Sequence, residues 1–433
     1  MIVETPANPI ETELEALFEL EKRARQDNDM DLSLKTCKSI VELLWNEKDL
    51  LKLASTLKTL TSKRGQLIKS TTTVVRMAME YIQQIGDLNA RMVFVENLKE
   101  ITEKKIFLEV EYARCCMILV KFNEQSPDKL RDAAHIMENV QVETYGSMSQ
   151  KEKLEFLLYQ MKLNLLLEDY TKLYIVSKKI NQKTLDKEDF AYEKLSFNLY
   201  SYYFYQNNGG YKDLVVCLKN AYAAMKSLDF KIDSTQLDKV LTEKFSLLLD
   251  KNNLTQALLT FKCLEELNPT KQEEMTALVK EHEVYVLYDK TLANLLTAFT
   301  NKEVFSCNIN SYNLDQLLIF KQDYLNSNKF REALEIQLVK KNLYMVSKYY
   351  RTVRIQKLAV LFDNSEEFIE DQLCKLIQDG LFKAKIDRMN MIVNFGTTVN
   401  ESEAIDQWVD NINGILDLVN FVAERIEREE VKA

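Results

Sequence analysis

Between about Glu11 and Thr300, apolar side chains return at helical spacing for runs of roughly 14–20 residues, each closed by a short polar break. Ile40, Leu43 and Leu44 share one stripe; Leu154, Leu157, Leu158, Met161, Leu165 and Leu166 share another. Stripes of this kind predict helices that bury one face. Start signals stand where such helices need them. Ser149-Gln-Lys-Glu152 reads as a capping box, and Ser126-Pro127 as a cap followed by a proline in the first turn. Asn208-Gly-Gly210 reads as a stop before the next helix at Tyr211. Helices of that length joined by short breaks fold back as hairpins. A hairpin about every 35–40 residues predicts an α-solenoid, with an irregular helical bundle as the alternative.

The pattern changes near Leu343. Tyr349 to Ile355 is β-branched enough for a short strand, and Ile355 to Phe362 continues as a helix. After the capping cluster Asp363-Asn-Ser365, a second helix carries Ile369, Leu373, Leu376 and Ile377 on one stripe and stops at Gly380. Leu381 to Ile386 alternates as a strand, Asp387 to Asn390 makes a turn, and Met391 to Phe395 returns as a strand. Helix, helix, hairpin is the order of a winged helix. It holds the one sheet that the sequence predicts.

A polar link, Thr397 to Glu401, leads to a last helix capped by Asn400 and Glu403. Here the apolar positions keep a seven-residue period. Ile405, Ile412, Val419 and Ile426 fill one heptad position, and Trp408, Ile415 and Val422 fill the other. A strict heptad makes a narrow seam for other helices, and β-branched residues at both positions favour three or more strands of helix. The expected architecture is therefore all-α. A helical-repeat domain spans 1–300, a module 301–397 carries the winged helix at about 343–397, and a bundle-forming helix spans 398–433.

Composition agrees. The chain has 433 residues, 46% hydrophobic and 28% charged, with 8 Gly and 4 Pro. Average usage would supply roughly 30 Gly and 20 Pro, the residues that sheets and tight turns consume. The formal net charge of −9 disfavours phosphate and anionic membrane as partners. The N-terminal Met1 to Glu13 lacks the apolar core of a signal peptide, and no apolar run of about 18 residues is present to span a bilayer. Seven cysteines with no Cys-x-x-Cys pair read as reduced, mostly buried thiols of the cytosol or nucleus.

Chemistry is hard to place on this chain. His135 and His282 are remote from each other, and neither sits in a metal-ligand spacing. Cys115 and Cys116 point about 100° apart on a helix and read as core residues rather than a redox pair. Neither a phosphate loop nor a nucleophile elbow occurs. No cofactor, metal or catalytic residue is expected. The second winged-helix helix, which would enter a DNA groove, carries Glu366, Glu367, Glu370, Asp371 and Asp379 against Lys375. Arg351, Arg354, Lys357 and Arg388 are the basic residues of that region through which RNA contact would run.

A helical array feeding a winged helix resembles the PCI domain, shared by the proteasome lid, the signalosome and a translation initiation factor. Local sequence narrows the choice. Lys104 to Arg114 and Gln141-Val-Glu-Thr-Tyr-Gly-Ser-Met148 are similar to the proteasome non-ATPase regulatory subunit 12 family. So are Ser177-Lys-Lys-Ile180, Tyr349-Tyr-Arg351, Ala384 to Arg388 and Ile392 to Phe395, all in order along the chain. Residues 264–342 depart from that pattern.

Membership implies a non-catalytic subunit of the lid of the proteasome regulatory particle, working in ubiquitin-dependent degradation in cytoplasm and nucleus. The implied partners are other PCI subunits of the lid, the lid deubiquitinase subunit, the ATPase ring and the core particle, in a hetero-oligomer without nucleic acid or membrane. Two interfaces are expected. The helical-bundle face is Ile405, Trp408, Ile412, Ile415, Val419, Val422 and Ile426; the winged-helix edge is Met391, Ile392, Val393, Asn394 and Phe395. A signalosome subunit and an RNA-contacting translation factor subunit stay open as alternatives, and an enzyme is the remaining competing class.

Overall fold

The computed structural model describes residues 9–27, 29–187, 190–228, 230, 238–268, 270–281, 290–307, 312, 314–321, 324, 326–396 and 401–430. In the last helix, side chains are described from Trp408 to Ala423 and at Arg425. His282, Asn400 and the side chains of Glu403, Ile405 and Ile426 lie outside this set. By compactness the chain divides into two units. The first holds Met1–Phe204 with Ala223–Glu243; the second holds Tyr205–Tyr222 with Lys244–Ala433. Residue 300, where the sequence reading ends its helical-repeat domain, lies within the second unit.

The first unit is a row of helices: α1 (Pro9–Gln26), α2 (Met30–Asn46), α3 (Leu50–Ser62), α4 (Ile68–Ile82), α5 (Leu88–Thr102) and α6 (Glu109–Asn123). It continues with α7 (Leu130–Glu138), α8 (Gln150–Leu166), α9 (Tyr170–Lys179), α10 (Gln182–Leu185) and α11 (Ala191–Asn208). Breaks of a few residues separate most of these helices, as hairpin stacking requires. Asp29, Asp49, Asp87, Ser149 and Asp169 cap α2, α3, α5, α8 and α9 with side-chain oxygens. The predicted capping box at Ser149 is half-formed. Ser149 Oγ accepts from the Glu152 amide at 3.3 Å, but the Glu152 carboxylate turns away to Arg114 at 2.7 Å. Pro127 opens a 3-10 turn, Pro127–Lys129, ahead of α7. Gly209, at φ +73°, ends α11 in the left-handed conformation that a side chain resists.

The stripe read for α8 understates its burial. From Phe156 to Leu165 every residue is buried, Gln160, Lys162 and Asn164 included. Lys162 is accommodated by ion pairs to Glu124 at 2.7 Å and Asp238 at 3.6 Å, beside the ring of Tyr159. The Tyr159 hydroxyl donates to Glu124, and the Tyr200 hydroxyl donates to Asp238 at 3.1 Å. Burial first, and then these carboxylates, push both phenols above their ordinary range.

Helices α12 (Tyr211–Ser227) and α13 (Lys239–Lys244) are divided between the units: α12 belongs to the second as far as Tyr222, and α13 to the first as far as Glu243. The second unit continues with α14 (Lys251–Leu264), α15 (Lys271–Glu281), α16 (Lys290–Thr300) and the long α17 (Ser327–Tyr349). Phe330 of α17 packs edge-on against Phe261 of α14, centroids 5.3 Å apart. Then come β1 (Thr352–Arg354), α18 (Ile355–Phe362), α19 (Glu366–Gln378), β2 (Ala384–Asp387), β3 (Ile392–Phe395) and α20 (Glu401–Glu430). Ser365 Oγ caps α19 at the Phe368 amide. Gly380, at φ +70°, ends it in a Schellman turn, with the Leu381 amide returning to the Leu376 carbonyl at 3.2 Å. The winged-helix core joins Val339, Leu343 and Val346 of α17 to Ile355, Leu358, Phe362, Ile369, Leu373, Leu376, Val393 and Phe395. Gln372 takes the buried place that the stripe gave to Ile377, which is half-buried.

Lys271 shows how this unit spends a buried charge. It is 3% exposed, and its Nζ donates to the carbonyls of Cys263, at 3.1 Å, and Glu265, so a cation sits at the C-terminal end of α14. Burial pulls its pKa down to about 8, and Lys341, bonded to the Glu303 carbonyl, is likewise drawn to about 8. Replacing a buried ion with an apolar side chain often stabilises. Here it orphans two carbonyls, so Lys271→Met should cost about 1–3 kcal/mol in a denaturant titration. Between pH 8 and 10 the unfolded chain holds this proton and the folded chain sheds it, so stability gains a rising contribution there. That contribution should shrink in the variant.

All seven cysteines are free; six are buried and Cys374 is half-buried. Among the described residues no helix is long and apolar enough to cross a membrane.

Candidate protein-docking surfaces

Among the described residues, nothing covers the apolar face of helix α20. Every described residue from Trp408 to Ala423 is exposed. Trp408 is 67% exposed, Ile415 63% and Val419 58%; Ile412 and Val422 are exposed as well. Five of the seven heptad residues read from the sequence have described side chains, Trp408, Ile412, Ile415, Val419 and Val422, and the apolar face there is wider than a two-position seam. Val409 and Leu416 follow the Trp408 and Ile415 positions by one residue and are also exposed. They turn the seam into a stripe like that of an ordinary core-facing helix. The same residues were visible in the sequence as a third recurring apolar position.

The small sheet corrects the second expected interface. Strand order is β1-β3-β2, both pairings antiparallel. The strand Met391, Ile392, Val393, Asn394 and Phe395, expected at the rim, is therefore the centre of the sheet. Val393 faces Val353 on one side and Ile386 on the other, and both Val393 and Phe395 are buried. The sequence reading expected the short strand at Tyr349–Ile355 but left β3 at the rim, whereas β1 pairs along its far side. The rims are the outer sides of β1 and β2. The hairpin turn itself is as predicted: Asp387 accepts from the Met389 amide at 3.1 Å and the Asn390 side chain at 2.8 Å. Those bonds, from Asn390 above all, hold its carboxyl below the usual carboxylate range.

The winged helix also shows apolar surface that the sequence reading missed. Helix α18 buries Ile355, Leu358 and Phe362 but turns Val360 and Leu361 outward, Val360 at 84% exposure. Met389 stands at the hairpin tip, 94% exposed, and Tyr349 and Tyr350 are exposed at the end of α17. A helix apolar on more than one face was the available signal.

The groove-reading position is acidic in space as in sequence. Glu366, Glu367, Glu370 and Asp371 lie on α19, and its basic neighbours are engaged. Lys375 pairs with Asp371 at 2.9 Å, and Arg388 Nε donates to Glu370 at 2.6 Å. Titrated with labelled duplex DNA or RNA at physiological salt, the chain should show no binding tighter than about 10⁻⁴ M. Micromolar binding that weakens steeply with salt would show that the basic residues around Arg351 override this face.

Two family models match: "PSMD12/CSN4, N-terminal" over residues 12–229 and "PCI domain" over residues 312–397. The second includes α18, α19 and the whole sheet. The chain is similar to the Saccharomyces cerevisiae 26S proteasome regulatory subunit RPN5, 29% identical, the match covering 98% of this chain and 92% of the relative. It is 27% identical to the Dictyostelium discoideum 26S proteasome non-ATPase regulatory subunit 12, covering 96% and 89%. To homolog A of that subunit in Arabidopsis thaliana it is also 27% identical, covering 97% and 96%.

Proposed function

The chain belongs to the PSMD12/CSN4 family and carries a PCI domain, and we propose that it is a non-catalytic scaffold subunit of the proteasome regulatory-particle lid. The observation that carries the reading is α20: a helix with an uncovered, heptad-spaced apolar face on a chain whose relatives are 26S proteasome regulatory subunits. Exposing such a face to water costs free energy, and burying it among other helices lowers the free energy. Its partners in this reading are the C-terminal helices of other lid subunits, the deubiquitinase subunit among them.

The PCI module joins neighbouring PCI modules side by side through the outer backbone of β1 and β2, where an added strand would find unpaired donors and acceptors. Further faces meet the ATPase ring and core particle. The subunit supports ubiquitin-dependent degradation in cytoplasm and nucleus by holding these neighbours together, and cleavage belongs to them.

Tagged chain recovered from native lysate should bring down proteasomal ATPases and core-particle subunits in stoichiometric amount. Recovery of signalosome subunits in their place would move it to the other branch that the family's description covers.

A further inference from the structure

Helix α20 runs for 30 residues, about four heptads and about 45 Å. A coiled coil is sustained over roughly three to four heptads, so the helix is long enough to associate by itself. Coiled-coil helices choose their partners in two ways. A polar residue in the seam fixes register and strand number, and charges at the positions flanking the seam admit some partners and repel others. Between Trp408 and Ala423, α20 carries neither device. Its seam there is Trp408, Ile412, Ile415, Val419 and Val422, all apolar and all exposed. The flanks are Val409, Leu416 and Ala423 on one side and Asn411 and Leu418 on the other, none of them charged. The acidic residues Asp410, Asp417 and Glu424 fall opposite the seam, where bundled copies hold them farthest apart. Nothing in this stretch turns away a second copy of the same helix.

The one charged flank position favours such a copy. In a parallel, in-register bundle, the residue before a seam position lies beside the residue five further along the neighbouring helix. Arg425 therefore meets Glu430, the last residue of α20, on the next copy. Arg425 is exposed, and its guanidinium lies over the Phe421 ring, 5.3 Å from the centroid. An antiparallel pairing sets like flank against like flank. The flank of Arg425 holds Ala404, Asn411 and Leu418, so that arrangement gives the arginine no carboxylate. Strand number follows from side-chain shape. β-Branched residues at both seam positions crowd a two-stranded seam and suit three, and apolar flanks widen the buried face in the same direction.

We propose that the chain by itself associates through α20 into a parallel, in-register bundle of three copies. Further copies of this chain then cover the exposed face until a helix of another protein displaces them. The inference rests on the residues of α20 alone and stands apart from the lid assignment.

Sedimentation equilibrium of the purified full chain, from submicromolar to tens of micromolar, tests it. A monomer–trimer equilibrium is expected. Trp408→Asp with Ile415→Asp should abolish it, as should ending the chain at Thr398. Arg425→Glu sets a glutamate against Glu430 at three contacts in each bundle and should weaken association about tenfold or more. Glu430→Arg should do the same, and the two changes together should restore most of the affinity. A chain that stays monomeric overturns the proposal, and so does undiminished association after the cut at Thr398. A dimer as the largest species overturns the three-stranded bundle. Failure of the paired charge reversal to restore affinity overturns the parallel register.

Discussion

A chain ended at Thr398 should fold, melt cooperatively at the parent's temperature, and fail to join its complex. The structure separates the two outcomes. Trp408, Ile412, Ile415, Val419 and Val422 are all exposed, so the described part of α20 contributes no buried side chain to either unit. Removing it takes nothing from the two described core clusters, in which no described α20 residue takes part. What is lost is potential burial in a bundle. Seven such side chains would contribute roughly 10–20 kcal/mol before ordering costs, more than most assemblies can lose and persist. A double variant, Trp408→Asp with Ile415→Asp, should reproduce the defect while leaving helix content intact. Size-exclusion profiles and native purification read the result. Aggregation or a broadened melt in the shortened chain would mean that α20 belongs to the core after all. Normal assembly would assign its apolar face to another partner.

How far the sequence reaches depends on how local the deciding contact is. The order helix, helix, hairpin was legible because each boundary is set within a few residues: Ser365 caps its own helix, Gly380 ends it, Asp387 folds its own turn. Strand order was not, because β1 is three residues long and its place beside β3 rests on pairings across some forty positions. The polar side chains buried in α8 were illegible for the same reason. Lys162 is tolerable only because Glu124 and Asp238 come to it from other helices. The apolar face of α20 was legible because a heptad is local, and its extra width at Val409 and Leu416 was present in the same residues.

Proline at Val393 should unfold the winged helix, and proline at Ala384 should not. In an antiparallel pair, facing residues alternate between exchanging backbone bonds and exchanging none. The Phe395 amide bonds the Arg351 carbonyl and the Ile355 amide bonds the Met391 carbonyl, which makes Val393 and Val353 a bonded pair. On the other side the Gly396 amide bonds the Lys383 carbonyl, so Lys385 with Asn394 is a bonded pair, whereas Ala384 and Ile386 turn their backbone groups outward. Val393→Pro thus deletes a donor in the central strand and sets a ring where a fully buried side chain packs among Ile355, Phe362 and Leu373. The cost is about 3 kcal/mol or more from the backbone alone. Limited proteolysis should open the segment from α18 to β3 while α1–α9 stay resistant, and assembly should fail because the module is gone. Ala384→Pro keeps every bond to β3 and removes one outward donor at the β2 rim. Its melt should match the parent's, and docking of a neighbouring PCI module should weaken about tenfold, the equivalent of one lost hydrogen bond at a tight contact. If Ala384→Pro assembles at parental affinity, the β2 rim is not where a neighbour adds its strand; if Val393→Pro melts as the parent does, β3 is not the strand that holds the sheet together.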